Sequence, residues 1–157
     1  MKIYVDMDGV LCNFKKVYET VDMPNTPRKF RTVVSHLRIF ENLEWMENGK
    51  LLLKTLDFLR ADVEILSSRG THNDGIGEEA IRQKNVWLDK HGINYPRNFV
   101  KIGIDKRNYS HENTYLIDDT PKVVDSFNLG SGTAMLYDDS KHSEFMQKFV
   151  KQIIWQL

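Results

Sequence analysis

The sequence predicts an α/β fold: a three-layer α/β/α arrangement with a mostly parallel sheet and helices on both faces. Three observations predict it. Short β-branched or aromatic runs at 2–5 (KIYV), 63–66 (VEIL) and 114–117 (TYLI) each end abruptly in polar residues. Segments of helical period lie between them, and strands that alternate with helices pair in parallel. The chain has 157 residues, 41% hydrophobic and 28% charged, which suits one domain around one core and excludes disordered or disulfide-stapled classes.

The elements follow in order. The first strand, 2–5, stops at Asp6-Met7-Asp8-Gly9, and 10–20 reads as a loop opening into a helix. The stretch 14–47, with Pro24 and Pro27 and no clear period, reads as an irregular, partly helical insertion into a core of 1–13 and 48–157. Leu52, Leu53, Leu56 and Leu59 then recur at helical spacing. The second strand, 63–66, runs directly into Ser67-Ser68-Arg69-Gly70. The polar stretch 70–77 carries three glycines and reads as a mobile loop.

Residues 78–91 predict an amphipathic helix containing Trp87, and 98–104 predicts a third apolar strand before the polar segment 105–113. The strand 114–117 closes on Asp118-Asp119. A helix over 121–128 and a short strand over 133–137 come next. In the tail 141–157, Phe145, Phe149, Ile153 and Leu157 share one stripe, which predicts a docked helix and leaves a homodimer open as another use of it.

Charge and composition bound the function. Twenty-two basic residues against 22 acidic ones argue against a strongly basic nucleic-acid surface. The one cysteine, Cys12, cannot form an internal disulfide, and the start MKIYVDMDG is not built like a secretory signal. No apolar run reaches the ~20 residues that span a bilayer. The expectation is a soluble, cytoplasmic domain with no membrane partner.

In a parallel α/β sheet, ligands sit outside the carboxyl ends of the strands. Asp6 and Asp8, Ser67 and Ser68, and Asp118 and Asp119 fall at such ends, so they converge on one crevice. Aspartates gathered there repel one another unless a cation sits among them, and oxygen ligands favour a hard ion such as Mg²⁺. The five histidines are scattered, without spacing for a softer metal. A metal-anchored aspartate can act as a nucleophile while a second carboxylate serves as acid and base. Asp6 and Asp8, two apart on extended chain, share a face. Gly9 lets the backbone turn closely around a bound group. Ser67 and a lysine ammonium would hold phosphoryl oxygens as charge develops.

These residues carry a resemblance. D-M-D-G-V (6–10), Ser67 after VEIL, and L-I-D-D (116–119) resemble motifs one, two and four of the haloacid dehalogenase-like (HAD) phosphatases. Within that superfamily the chain is similar to the 5'(3')-deoxyribonucleotidases. DMDGVLCNF (6–14), FENLEWMENG (40–49), VEILSS (63–68), the Trp87 helix and IDKRNY (104–109) before LIDD follow in the same order. The resemblance covers 2–14 and 40 to about 125, and implies a Rossmann-like HAD core with a short helical cap.

Carried over residue by residue, the resemblance implies Asp6 as nucleophile, Asp8 as general acid/base and Lys106 as the motif-three lysine, with Lys101 as its rival. It implies Ser67, with Ser68 and Gly9, around the phosphate, and Phe14 facing the sugar or base. Mg²⁺ would be held by Asp6, Asp119 and Asp8 through its main-chain carbonyl, with Asp118 supporting that shell. Arg69 reads equally as a phosphate anchor or a solvated side chain. The insertion is shorter than the family's cap. Asn13 and Thr120 stand where the family often has an acidic residue and an arginine.

Other residues read otherwise. Asp138-Asp139 precedes a helix and reads as a solvated helix start. Phe30, Phe40 and Trp45 could line an entrance or simply pack the insertion, and Cys12 reads as a small buried residue. The implied activity is a Mg²⁺-dependent phosphoric monoester hydrolase acting on (deoxy)nucleoside monophosphates through an aspartyl-phosphate. A polynucleotide 3'-phosphatase acting on a nucleic-acid end is the first alternative, since SSRG and the Trp-containing helix also resemble the phosphatase domain of polynucleotide kinases. A non-catalytic phospho-ligand-binding protein is the second.

Overall fold

The computed structural model describes residues 1–154. Five strands form one all-parallel sheet: β1 (Lys2–Val5), β2 (Asp62–Ser68), β3 (Arg97–Val100), β4 (Thr114–Asp118) and β5 (Thr133–Leu136), in the order β3-β2-β1-β4-β5. Six α-helices accompany them: α1 (Phe14–Thr20), α2 (Pro27–Ser35), α3 (Gly49–Phe58), α4 (Asp74–Lys90), α5 (Pro121–Asn128) and α6 (His142–Ile154). The fold is the Rossmann-like α/β arrangement that the alternation predicts.

Side-chain alternation along the strands divides the apolar residues between the two faces. Ile3, Val5, Val63, Ile65, Tyr115 and Ile117 pack on one side with residues of α3, α4 and α6. Tyr4, Leu66, Leu116 and Ala134 pack on the other with Val123, Val124 and Phe127 of α5. Phe145, Phe149 and Ile153 of the C-terminal stripe are buried in the first of these cores, so they are not left for a dimer surface. Leu157 lies outside the described residues. No helix among the described residues is long and apolar enough to cross a membrane.

Three boundaries differ from the sequence reading, each for a local reason. The strand β2 continues through Ser67 and Ser68, which pair with Phe99 and Val100 of β3. The helix α4 starts inside the glycine-bearing stretch, because the Asn73 side chain accepts a hydrogen bond from the Ile76 amide (3.0 Å) and caps it. Position 77 in that helix is glycine because a Cβ would lie 2.4 Å from Cδ of Arg69. The third apolar run is strand only to Val100. Beyond it, Gly103–Tyr109 winds into a 3-10 helix, where a Gly103 Cβ would meet Val123 at 2.8 Å.

The segment between β1 and α3 packs its buried side, Val33, Val34, Ile39 and Phe40, into the core beside α4. Its two ends are tied together. The Asn13 amide donates to the Glu44 carbonyl (2.8 Å), the Met46 amide donates to the Leu11 carbonyl (2.8 Å), and Cys12 bridges Trp45 antiparallel.

Candidate active site

Strand order reverses at β1, whose neighbours are β2 and β4, so the crevice at its carboxyl end is the topological switch point. The chain turns sharply there. The Met7 carbonyl accepts from the amides of Val10 (3.2 Å), Leu11 (2.8 Å) and Cys12 (3.0 Å). Gly9 sits at φ +82°, and a Cβ on it would lie 2.0 Å from Oδ2 of Asp119. Glycine here serves two needs: a left-handed turn and room for a carboxylate from β4 to lie against the loop.

Two buried lysines enter the crevice from different elements. Lys106, on the 3-10 helix Gly103–Tyr109, places Nζ 2.8 Å from Oδ1 of Asp6 and donates to Oδ2 of Asp118 at 2.6 Å. Burial alone would lower its proton affinity, but the Asp6 and Asp118 charges outweigh that and hold it above the ordinary lysine value. Lys101, the rival position, is exposed.

Lys84, from α4, is fully buried. It donates to Oδ2 of Asp8 (2.6 Å), to Oγ of Ser67 (2.9 Å) and to the Ser68 carbonyl (2.8 Å), with Nζ 4.6 Å from the Phe40 ring centroid. Motif reading missed this residue. The signal was present, because Ala80, Lys84, Trp87 and Leu88 are spaced along one buried stripe of α4. A lysine in such a stripe requires an anionic or carbonyl partner.

Asp6, Asp118 and Asp119 bring one oxygen each within 4.8 Å of one another. Burial, then the Asp6 charge, pushes Asp118 up to about 6 against the pull of Lys106, and the same two causes push Asp119 up to about 7. The Thr120 amide steadies Asp118 by donating to its Oδ1 (2.9 Å). The Asp8 carboxylate, bonded to Lys84, stands outside this acid triad. Counted as formal charges, Asp6, Asp8, Asp118 and Asp119 against Lys84 and Lys106 leave two negative charges, which one divalent cation balances. Three carboxylate donors suit a hard ion such as Mg²⁺, so the residues present fit it.

The crevice is a cavity of about 280 Å³ in which Asp6, Asp8 and Asp119 form the polar floor and Phe14, Phe30 and Phe40 an aromatic wall. Phe14 stacks on Phe40 with ring centroids 5.2 Å apart. Ser68 and Gly9 line the cavity, whereas Ser67 lies behind it on Lys84. Arg69 is not a solvated side chain. It is buried, and its guanidinium is engaged by the carbonyls of Thr71 (3.0 Å) and His72 (3.4 Å) and by Asp74 (2.5 Å), so it pins the loop before α4.

Trp45 is not part of the aromatic wall. It lines a separate cavity of about 730 Å³ with Lys50 and His91, and donates from Nε1 to Nδ1 of His91 (3.1 Å). Cys12 is buried, its Sγ 3.5 Å from Oδ1 of Asp8, and burial pushes its thiol well above the ordinary range. Asp138 accepts from the Ser140 amide (3.0 Å) at the start of the short 3-10 turn before α6, the role of a helix-start residue.

Comparison with solved structures finds similarity at low identity. A chain from the structure of the Pnkp1/Rnl/Hen1 complex is 17% identical with a TM-score of 0.53. The match covers 87% of this chain and 46% of that one, so this chain spans less than half of its length. A hydrolase from Streptococcus pneumoniae TIGR4 is 13% identical with a TM-score of 0.49, covering 87% of this chain and 91% of that one. No protein-family model and no curated protein matches the sequence.

Proposed function

We propose that the protein is a Mg²⁺-dependent HAD-like phosphatase that hydrolyses (deoxy)nucleoside monophosphates through an aspartyl-phosphate. One observation carries the reading: Asp6 stands against the Lys106 ammonium and beside Asp118 and Asp119, with Asp8 two residues on in the same cavity. A likeness of fold supports it, as do the motif positions at the strand ends.

In this reading, an Asp6 carboxylate oxygen attacks phosphorus and the bond to the leaving oxygen breaks as Asp8 supplies that oxygen with a proton. Asp8, now ionised, takes a proton from water as the water oxygen attacks the phosphoryl group. The Asp6–phosphate bond breaks, leaving inorganic phosphate and both carboxylates in their starting forms. Lys106 holds its ammonium against Asp6 and offsets charge on the phosphoryl oxygens, and Ser68 and Gly9 line the space around them. Asp6, Asp119 and the Asp8 carbonyl, with Asp118 in support, would hold Mg²⁺, which would supply neutralising charge to the phosphate. The walls of Phe14, Phe30 and Phe40 suit a flat base or a sugar face.

A second reading, a polynucleotide 3'-phosphatase, draws on two features. A groove of about 530 Å³ shares Phe30 and Gly70 with the catalytic cavity and extends it along α2. That helix carries exposed Arg28 and Arg31, beside the groove rather than in its lining, and no acidic residue. The test is phosphate release from a panel of nucleoside 5'- and 3'-monophosphates and a 3'-phosphorylated oligonucleotide. It is run with Mg²⁺ or chelator, for wild type and Asp6→Asn. Mononucleotide turnover that Mg²⁺ supports and the variant abolishes is the expected result. Turnover of the oligonucleotide alone, steeply weakened by salt, selects the second reading. Silence on every substrate by folded protein refutes both.

A further inference from the structure

We infer that Lys84 is the positioning residue for Asp8: it aims the acid/base carboxylate and keeps it apart from the cation triad. The inference rests on the phosphatase reading and adds a residue that the motif resemblance does not supply.

The argument starts from helix periodicity. Position 84 falls on the buried stripe of α4, between Ala80 and Trp87, where an apolar side chain would pack at no electrostatic cost. A buried ammonium is tolerated only if its donors are satisfied. All three of its hydrogens have an acceptor within 2.9 Å, and each acceptor belongs to a strand end or loop of the catalytic crevice. The lysine therefore braces β1 against β2 at the point where both deliver functional groups.

The bond has a directional consequence. Oδ2 of Asp8 is committed to Lys84, and the Asp8 side chain remains 28% exposed where it lines the cavity. Oδ1, which among the described residues accepts only from the thiol of Cys12 at 3.5 Å, is the oxygen left to exchange a proton with a leaving group or water. The same bond explains why Asp8, so close in sequence to Asp6, does not add a fourth carboxylate to the triad. The ammonium groups divide the labour: Lys106 serves Asp6 and Asp118, and Lys84 serves Asp8 and the serines.

A double-mutant cycle tests this on the full chain, using Lys84→Met, Asp8→Asn and the double variant with an alkyl phosphomonoester. If Lys84 acts through Asp8, Lys84→Met lowers kcat by roughly 100-fold, the scale of a lost general acid, and costs less than about twofold once Asp8 is Asn. Cation affinity, read by terbium luminescence, rises about threefold or more in Lys84→Met, where Asp8 is free to join the triad, and does not rise in the double variant. An equal loss in both backgrounds, or no loss in either, overturns the inference. Lys84→Gln completes the same cycle should the methionine variant melt below the assay temperature. Wild-type protein that turns over no phosphomonoester overturns the phosphatase reading itself, an outcome separate from a failed cycle.

Discussion

Replacing Gly9 by alanine perturbs the candidate site through one atom. The added Cβ would lie 2.0 Å from Oδ2 and 2.5 Å from Cγ of Asp119, about 1 Å closer than side chains tolerate. The backbone at φ +82° adds ~1 kcal/mol for a residue with a Cβ. The loop is anchored by three amides on the Met7 carbonyl, so Asp119 must give way by about 1 Å. Mg²⁺ holds its oxygens at ~2.1 Å with little tolerance, so a shift of that size removes a ligand. The expectation is a loss of tenfold or more in Mg²⁺ affinity, which corresponds to ~1.4 kcal/mol, measured by isothermal titration. A fall in Tm of about 3 °C accompanies the backbone strain. In the Asp119→Ala background the alanine costs only that strain. Unchanged Mg²⁺ affinity in Gly9→Ala would refute the placement of Asp119 as a ligand.

Three further outcomes follow from other contacts. Because burial and the Asp6 charge raise Asp119 to about 7 and Asp118 to about 6, the folded chain holds protons between pH ~4 and 7 that the unfolded chain has released. Stability of the cation-free protein therefore falls as pH rises through that window. Asp119→Asn should flatten the slope of Tm against pH from 5 to 8; a slope unaltered by the variant would contradict this. Trp87→Phe removes the indole donor from the buried Leu43 carbonyl (2.8 Å) and leaves a void, for ~2–4 kcal/mol in urea denaturation; a loss below ~1 kcal/mol would contradict both the bond and the packing. Arg69→Met frees the carbonyls of Thr71 and His72, so hydrogen exchange over 70–74 should quicken while the affinity for inorganic phosphate holds. A large loss of phosphate affinity would instead make Arg69 a ligand.

The sheet and its acidic crevice were legible because each depends on adjacent residues. A short apolar run closing on Asp6 or Asp118 names both the strand and the end that matters, and parallel topology puts those ends together. Lys106 was legible by motif order. Lys84 was not, because its partners, Asp8 and Ser67, lie 76 and 17 residues away, and helix period alone shows only that it faces inward. The glycines at 75 and 77 suggested a loop by propensity, but an asparagine cap and the Arg69 stem favour a helix there. Trp45, left open between lining an entrance and packing, belongs to another surface, since side-chain direction in an irregular segment has no period from which to read it.

The stitched ends of the insertion have a bearing on how this chain can change. Asn13 and Leu11 bond the returning chain at Glu44 and Met46, so the segment leaves and rejoins the body at one place. Length added between α1 and α2, where residues 22–28 are mostly exposed, costs only the slow logarithmic entropy of a larger loop and exerts no leverage on Asp6 or Asp8. Selection or design can therefore remodel what reaches the mouth of the crevice while the reacting groups stay fixed, making substrate range a separately adjustable trait of this architecture.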